Sequence, residues 1–257
     1  MTTVRTLVAL LLGLVFGSFL TVVVHRVPRG ESIVRPRSRC PSCGTPIRTV
    51  DNIPVLSWLV LRGRCHACAA RISPVYPLIE LATGGVFAAV VLRFSDPLVA
   101  VLMAPFAGVL VAIAVIDWRT KKIPNRIVYP GVVASAACLV AVEIAGADLS
   151  LARAGIGFLV YGGGLLIVAL IAPKGLGMGD VKLAAWIGLV IGSLGLVQVA
   201  VAAGVGILLG GVAAIVALIA GVGRKEGIPY GPFLAAGGIL AILIGTRIAD
   251  LYLHLLT

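Results

Sequence analysis

Residues 7–24 read "LVALLLGLVFGSFLTVVV", with no charged side chain. That is close to the roughly twenty apolar residues a helix needs to cross a hydrocarbon layer about 30 Å thick. Seven further runs follow, at about 76–92, 98–116, 126–145, 152–172, 181–193, 197–221 and 232–253. The sixth of the eight, 181–193, is short. The chain is 60% hydrophobic and only 12% charged, which leaves too little polar surface to clothe a water-soluble core. Strands of a membrane barrel would alternate every second residue, and these runs do not. The expected fold is therefore an all-α polytopic membrane protein with about eight transmembrane helices.

The net charge of +11 is unevenly placed. Arg26, Arg29, Arg35, Arg37, Arg39, Arg48, Arg62, Arg64 and Arg71 fall between the first two runs, and the loops after Asp117, Pro173 and Gly223 carry Arg119, Lys121, Lys122, Arg126, Lys174, Lys182, Arg224 and Lys225. The alternate loops carry Arg93, Arg153 and Arg247, diluted by Asp96, Glu143, Asp148 and Asp250. This is the asymmetry of the positive-inside rule, and it makes a nucleic-acid partner unnecessary. It places His25 onward in the cytoplasm and both ends of the chain outside. The first run ends in "VVVHRVPR" with no small-residue cleavage site, so it reads as a helix that stays rather than a signal peptide. The many glycines within the runs predict close helix packing.

Between the first two runs lie "CPSCG" at Cys40 and "CHAC" at Cys65, a C-x2-C-x21-C-x2-C spacing close to that of a four-thiolate zinc ribbon. Cys40, Cys43, Cys65 and Cys68 are candidate ligands of one structural Zn²⁺. Two disulfides are the alternative, opposed in a cytoplasmic setting by reducing thiols. Arg37, Arg39, Arg62 and Arg64 flank the cysteines and would offset the charge of four thiolates. His66 is a poor extra ligand, and Cys138 reads as a small buried hydrophobe.

Two carboxylates carry the other chemistry. Asp117 ends the third run in "AVIDWRTKKIPN", and Asp180 opens the sixth in "GLGMGDVK". The topology puts both at cytoplasmic helix ends, so they can face each other although 62 residues lie between them. Two close carboxylates share a proton, which equips them for acid–base hydrolysis of a peptide bond. Gly175, Gly177 and Gly179 leave room for an extended substrate beside Asp180; Gly177 and Gly179 are the candidate substrate-loop residues. Pro124 is expected to stop the helix beyond Asp117, and Asn125 to cap the next. Each aspartate taken alone also reads as an interfacial cap or a partner for a nearby cation.

The stretches "FGSFLTVVVHRVP", "CPSCG", "IPVLSWLVLRGRC", "YPLIE", "IDWRTKKIPN", "GLGMGDVKL" and "IPYGPFLAAG" resemble the type IV prepilin peptidases over nearly the whole chain. The resemblance implies an aspartic peptidase of the bacterial inner membrane with its active site at the cytoplasmic face. Asp117 and Asp180 match the family's catalytic residues, and Cys40, Cys43, Cys65 and Cys68 its zinc ligands. The implied substrates are prepilins and pseudopilins, cut after a glycine that ends a basic leader. An N-methyltransferase activity using S-adenosylmethionine is implied as well, with Glu80 of "YPLIE" as a speculative participant or simply the partner of an arginine. Thr21 stands where the family usually has Asn, and Val75 where it has Arg. The implied division is a first helix (1–24), a small cytoplasmic zinc-ribbon-like domain carrying the four cysteines (25–75) and a seven-helix peptidase domain (76–257). The competing reading is a transporter or channel with a zinc regulatory module, since buried acids also relay protons; the position of both acids at span ends argues against it.

Overall fold

Helices form where the apolar runs are and extend beyond them. The computed structural model describes residues 2–172, 176–221 and 228–256, the side chains of residue 249 and residues 252–256 excepted. Pro173, Lys174, Gly175, Gly223, Arg224 and Lys225 lie outside the described residues. The helices are α1 (Thr2–Arg26), α2 (Leu56–Val60), α3 (Val75–Arg93), α4 (Pro97–Thr120), α5 (Asn125–Ile144), α6 (Leu151–Gly157), α7 (Gly163–Ile171), α8 (Met178–Gly192), α9 (Leu196–Ile219) and α10 (Gly231–Leu256). A π-helical turn, Phe158–Gly162, joins α6 to α7 as one rod.

Local chemistry sets the ends. Asp96 accepts the N–H of Leu98 at 2.8 Å and Pro97 takes the first position of α4. The same helix stops at Lys121, in the left-handed region at φ 52°, whose N–H returns to the Asp117 carbonyl at 2.7 Å. Pro124 is thus not the terminator; the stop comes three residues earlier. Pro124 occupies the N-cap of α5, and Asn125 does not cap it. Asn125 is already helical, and its Oδ1 accepts instead from the Lys182 ammonium at 3.2 Å.

Among the described residues, seven helices are long and apolar enough to cross a membrane. The sixth expected span, α8, has 15 residues, a length of about 22 Å at 1.5 Å per residue, and is not among the seven. It avoids lipid: Val181, Leu183, Ala184, Trp186, Ile187, Gly188, Val190, Ile191 and Gly192 are all buried. The Ser150 N–H meets the Ser193 carbonyl at 3.1 Å, so α8 runs antiparallel to the α6–α7 rod. By contrast α1 exposes Leu7, Leu11 and Val15, and α9 exposes Leu208, Val212 and Ile219. Helices apolar on every side belong in hydrocarbon.

The bundle is close-packed through glycine. A Cβ on Gly188 would lie 2.2 Å from the Gly157 carbonyl oxygen, and one on Gly17 would lie 2.8 Å from the Glu80 Cα. Neither pair of backbones could approach so closely with a side chain between them. Phe106 of α4 stacks edge-on against Trp186 of α8, centroids 5.3 Å apart, and the Trp186 indole N–H donates to Ser135 Oγ at 3.0 Å. Thr21 is buried, and its hydroxyl donates to the Ser18 carbonyl at 2.7 Å. Cys138 is half-buried and packs on this core, as a small hydrophobe should.

Hydrogen bonds sort the helix ends into two faces. One face gathers the end of α4 with the start of α10, and the start of α5 with that of α8. It also holds the cysteine segment, tied to α5 where the Arg126 guanidinium donates to the Gly30 carbonyl at 3.1 Å. At the other face Arg5 donates to the Ser95 carbonyl and Arg93 to Thr246.

Candidate active site and metal centre

Asp117 sits in the last turn of α4, the most enclosed of the seven long helices, and is 4% exposed. Its Oδ2 accepts the backbone N–H of Gly231 at 2.9 Å. Gly231 is the first residue of α10, where backbone N–H groups have no partner within the helix and favour a negative charge. A Cβ at position 231 would lie 2.7 Å from Asp117 Oδ2 and 3.0 Å from its Cβ and Cγ. The absence of a side chain is what lets this backbone reach the carboxylate.

Asp180 is the third residue of α8 and is half-buried. Its Oδ2 accepts the Gly177 N–H at 3.1 Å, one limb of a capping box. The cap expected of an isolated aspartate is therefore real here, and it uses one of the two carboxylate oxygens. Gly177 is extended (φ −82°, ψ 149°) and exposed, whereas Gly179 lies in the first turn of α8. A Cβ on Gly179 would come 3.1 Å from Ile123 Cβ, so the loop after α4 packs on the start of α8. Asp117 near the end of α4 and Asp180 in the first turn of α8 thus lie on one face of the bundle, each accepting from a backbone N–H.

Tyr230 immediately precedes Gly231. Burial raises its phenol above the ordinary range, and the Asp180 charge adds to this, so it is neutral and able to donate. Neither Tyr230 nor Gly231 was picked out from the sequence by chemistry. The available signal was "YGP": a Gly–Pro pair opening a helix marks a backbone that something else must approach.

The four cysteine sulfurs lie within 4.8 Å of one another, with Cys40 Sγ and Cys68 Sγ 3.9 Å apart. Zn–S bonds of about 2.3 Å in a tetrahedron place sulfurs roughly 3.8 Å apart, so the cluster fits one such ion. It does not fit disulfides, whose sulfurs sit about 2 Å apart. Two matching backbone turns build it. The Gly44 N–H returns to the Cys40 carbonyl at 2.9 Å and the Cys40 N–H donates to Thr45; the Ala69 N–H returns to Cys65 at 2.9 Å and the Cys65 N–H donates to Ala70. Isolated β-bridges pair Arg39 with Pro46 and Arg64 with Arg71 just outside each turn. The fifth residue is left-handed in both, Gly44 at φ 71° and Ala69 at φ 58°. Nearby, the Arg48 guanidinium donates to Asp51 at 2.7 Å and holds its carboxyl below the usual range.

Glu80 is buried on α3 and accepts the backbone N–H of Val55 at 2.7 Å. Among the described residues it pairs with no arginine; the one ion pair is Arg48–Asp51. An apolar cavity of about 290 Å³ opens between the end of α4 and the starts of α3 and α10, lined by Val75, Ala114, Val115, Trp118, Arg119 and Pro232, and Glu80 is not among its walls.

The family model described as "Type IV leader peptidase family" matches residues 104–249, and one described as "Bacterial Peptidase A24 N-terminal domain" matches 11–94. The chain is 35% identical to a "Prepilin leader peptidase/N-methyltransferase" of Bacillus subtilis, over 95% of this chain and 96% of that one. It is 33% identical to a protein of the same name from Dichelobacter nodosus, over 94% and 92%. It is 34% identical to the "Type 4 prepilin-like proteins leader peptide-processing enzyme" of Escherichia coli, over 90% and 91%. No solved structure matches the chain.

Proposed function

Because the chain belongs to the type IV leader peptidase family, we propose that Asp117 and Asp180 are the catalytic pair of an aspartic peptidase working where α4, α8 and α10 meet. The observation that carries this is a buried carboxylate, Asp117, bonded to the Gly231 N–H on the face where a second acid, Asp180, opens another helix that packs on the loop after α4. Such a pair holds one proton between two carboxyls. The ionised member takes a proton from water, and the water oxygen attacks the scissile carbonyl carbon. The protonated member hydrogen-bonds the carbonyl oxygen, and a proton then passes to the departing amine. The Gly231 N–H keeps Asp117 in place, and Gly177 offers extended, exposed backbone beside Asp180, where a substrate strand can lie. Gly179 lets the loop after α4 pack directly on the first turn of α8, next to that strand.

The names of the relatives point to prepilin leader peptides as the substrate class; the motif resemblance adds pseudopilins and a cut after the glycine that ends a basic leader. The aspartates share a face with the Arg-rich cysteine segment, and the positive-inside rule makes this the cytoplasmic face of the inner membrane. Residues 25–75 then form the cysteine domain and 76–257 the peptidase domain. Cys40, Cys43, Cys65 and Cys68 would hold Zn²⁺ in a closed site, which supplies folding stability rather than a catalytic water. The same names point to methylation of the new N-terminus, and S-adenosylmethionine is the donor that the motif resemblance implies. The buried acid of this half, Glu80, is engaged by Val55, so no step of that reaction is assigned to it.

The test is intact mass spectrometry of a candidate prepilin co-expressed with this protein and with its Asp180→Asn form. The expected result is loss of the leader mass with the unaltered protein alone, followed by a +14 increment. Equal cleavage by Asp180→Asn overturns the assignment.

A further inference from the structure

The face of the bundle away from the cysteine cluster holds a cavity of about 550 Å³ between α3 and α10. Arg93, Arg247 and Thr246 form its polar rim, and Leu92, Leu243 and Ile244 are among its apolar walls. The Arg93 guanidinium donates to Thr246 Oγ1 at 2.9 Å, which bridges the two helices and fixes the arginine over the cavity. Among the described residues neither arginine lies within ion-pair distance of a carboxylate. Asp96, the nearest acid in sequence to Arg93, is turned to the Leu98 N–H.

Depth makes two unpaired guanidiniums informative. Arg93 lies eighteen residues along α3 from Val75 and Arg247 sixteen residues along α10 from Gly231. At 1.5 Å per residue these are rises of about 27 and 24 Å. Both arginines therefore sit about one hydrocarbon thickness from the catalytic end, at the level of the opposite headgroup layer. Arginines at that boundary reach out of the hydrocarbon into the charged headgroup layer. The anion present at that depth in a bilayer is a lipid phosphate, and an arginine fork binds phosphate oxygens bidentately.

We propose that this cavity is a binding site for an anionic phospholipid. Its phosphate sits between Arg93 and Arg247 within reach of Thr246, and its glycerol and first acyl carbons lie on Leu92, Leu243 and Ile244. The site joins α3, which belongs to the N-terminal family match, to α10, which belongs to the C-terminal one. A bound lipid therefore staples the cysteine-bearing half to the peptidase half. The proposal is independent of the peptidase reading.

The purified full chain in neutral detergent would be titrated with phosphatidylglycerol, with phosphatidylcholine and with inorganic phosphate, and retained lipid counted by native mass spectrometry. Two arginines at a headgroup boundary predict roughly tenfold or greater preference for phosphatidylglycerol over phosphatidylcholine. Arg93→Gln with Arg247→Gln removes that preference. Ala89→Phe fills the cavity with both arginines kept, and it also lowers retention should the double variant fail to fold. Millimolar inorganic phosphate does not displace the lipid. Equal retention of both lipids, retention unchanged in Ala89→Phe, or displacement by phosphate alone overturns the proposal, the last in favour of a free-anion site.

Discussion

Glu80 Oε2 and the backbone N–H of Val55 meet at 2.7 Å, joining the buried wall of α3 to the turn that starts α2. Val55 sits at φ 61°, a region that β-branched residues avoid, so this hydrogen bond holds a strained turn in place. Glu80→Gln keeps an acceptor oxygen and should keep the turn. Glu80→Leu leaves the Val55 N–H unpaired, at a cost of about 1–3 kcal/mol. Limited proteolysis of residues 49–61 separates the two, with faster cutting expected for Leu alone. If Gln is also cut fast, the carboxylate charge matters beyond the hydrogen bond.

Gly231→Ala places a methyl group 2.7 Å from Asp117 Oδ2. Alanine suits helices better than glycine, so α10 should form as before. The carboxylate must move, and displacement of a catalytic group by about 1 Å costs on the order of 10²-fold in rate. Cleavage of a prepilin by the variant in proteoliposomes should fall by that order with thermal stability retained. Undiminished cleavage would show that Asp117 has slack the geometry denies it.

Asp117→Asn and Asp180→Asn each remove the shared proton chemistry while keeping side-chain volume. General acid–base groups contribute about 10²–10⁴-fold, so cleavage should drop by at least that range in either variant. The variants should melt within a few degrees of the unaltered protein, because an asparagine oxygen still accepts from Gly231 or Gly177.

Ala69 and Gly44 hold the same position in matching turns, but only glycine tolerates the left-handed region without strain. Ala69→Gly should relieve about 1 kcal/mol, less the entropy that glycine adds to the unfolded chain. Cys65→Ser should act in the opposite sense and make the segment sensitive to chelators. Release of bound metal to a colorimetric chelator, followed over time, would rank the variants: Ser fastest, Gly slowest.

The spans were legible because hydrocarbon imposes a length and an apolar character that twenty-residue runs cannot hide. The π-turn at Phe158–Gly162 was not. Gly162 at its end packs against Ala185, where a Cβ would lie 2.5 Å away, and that neighbour is distant in sequence. The two aspartates stood out because charge at a span edge is rare. Gly231 was missed because its contribution is a backbone N–H, which no side-chain pattern announces. Asn125 was misjudged as a cap because its partner, Lys182, belongs to another helix.

The Asp117–Gly231 bond also sets an order in time. Its two partners are 114 residues apart. At a synthesis rate of about 5–20 residues per second, Asp117 leaves the ribosome roughly 6–20 s before the backbone that will hold it. Until α10 enters the bundle, the carboxylate lacks its donor and the wall that Gly231 provides. With Asp117 in the catalytic role proposed for it, the half-made molecule is an inert precursor, and activity begins with the insertion of one helix.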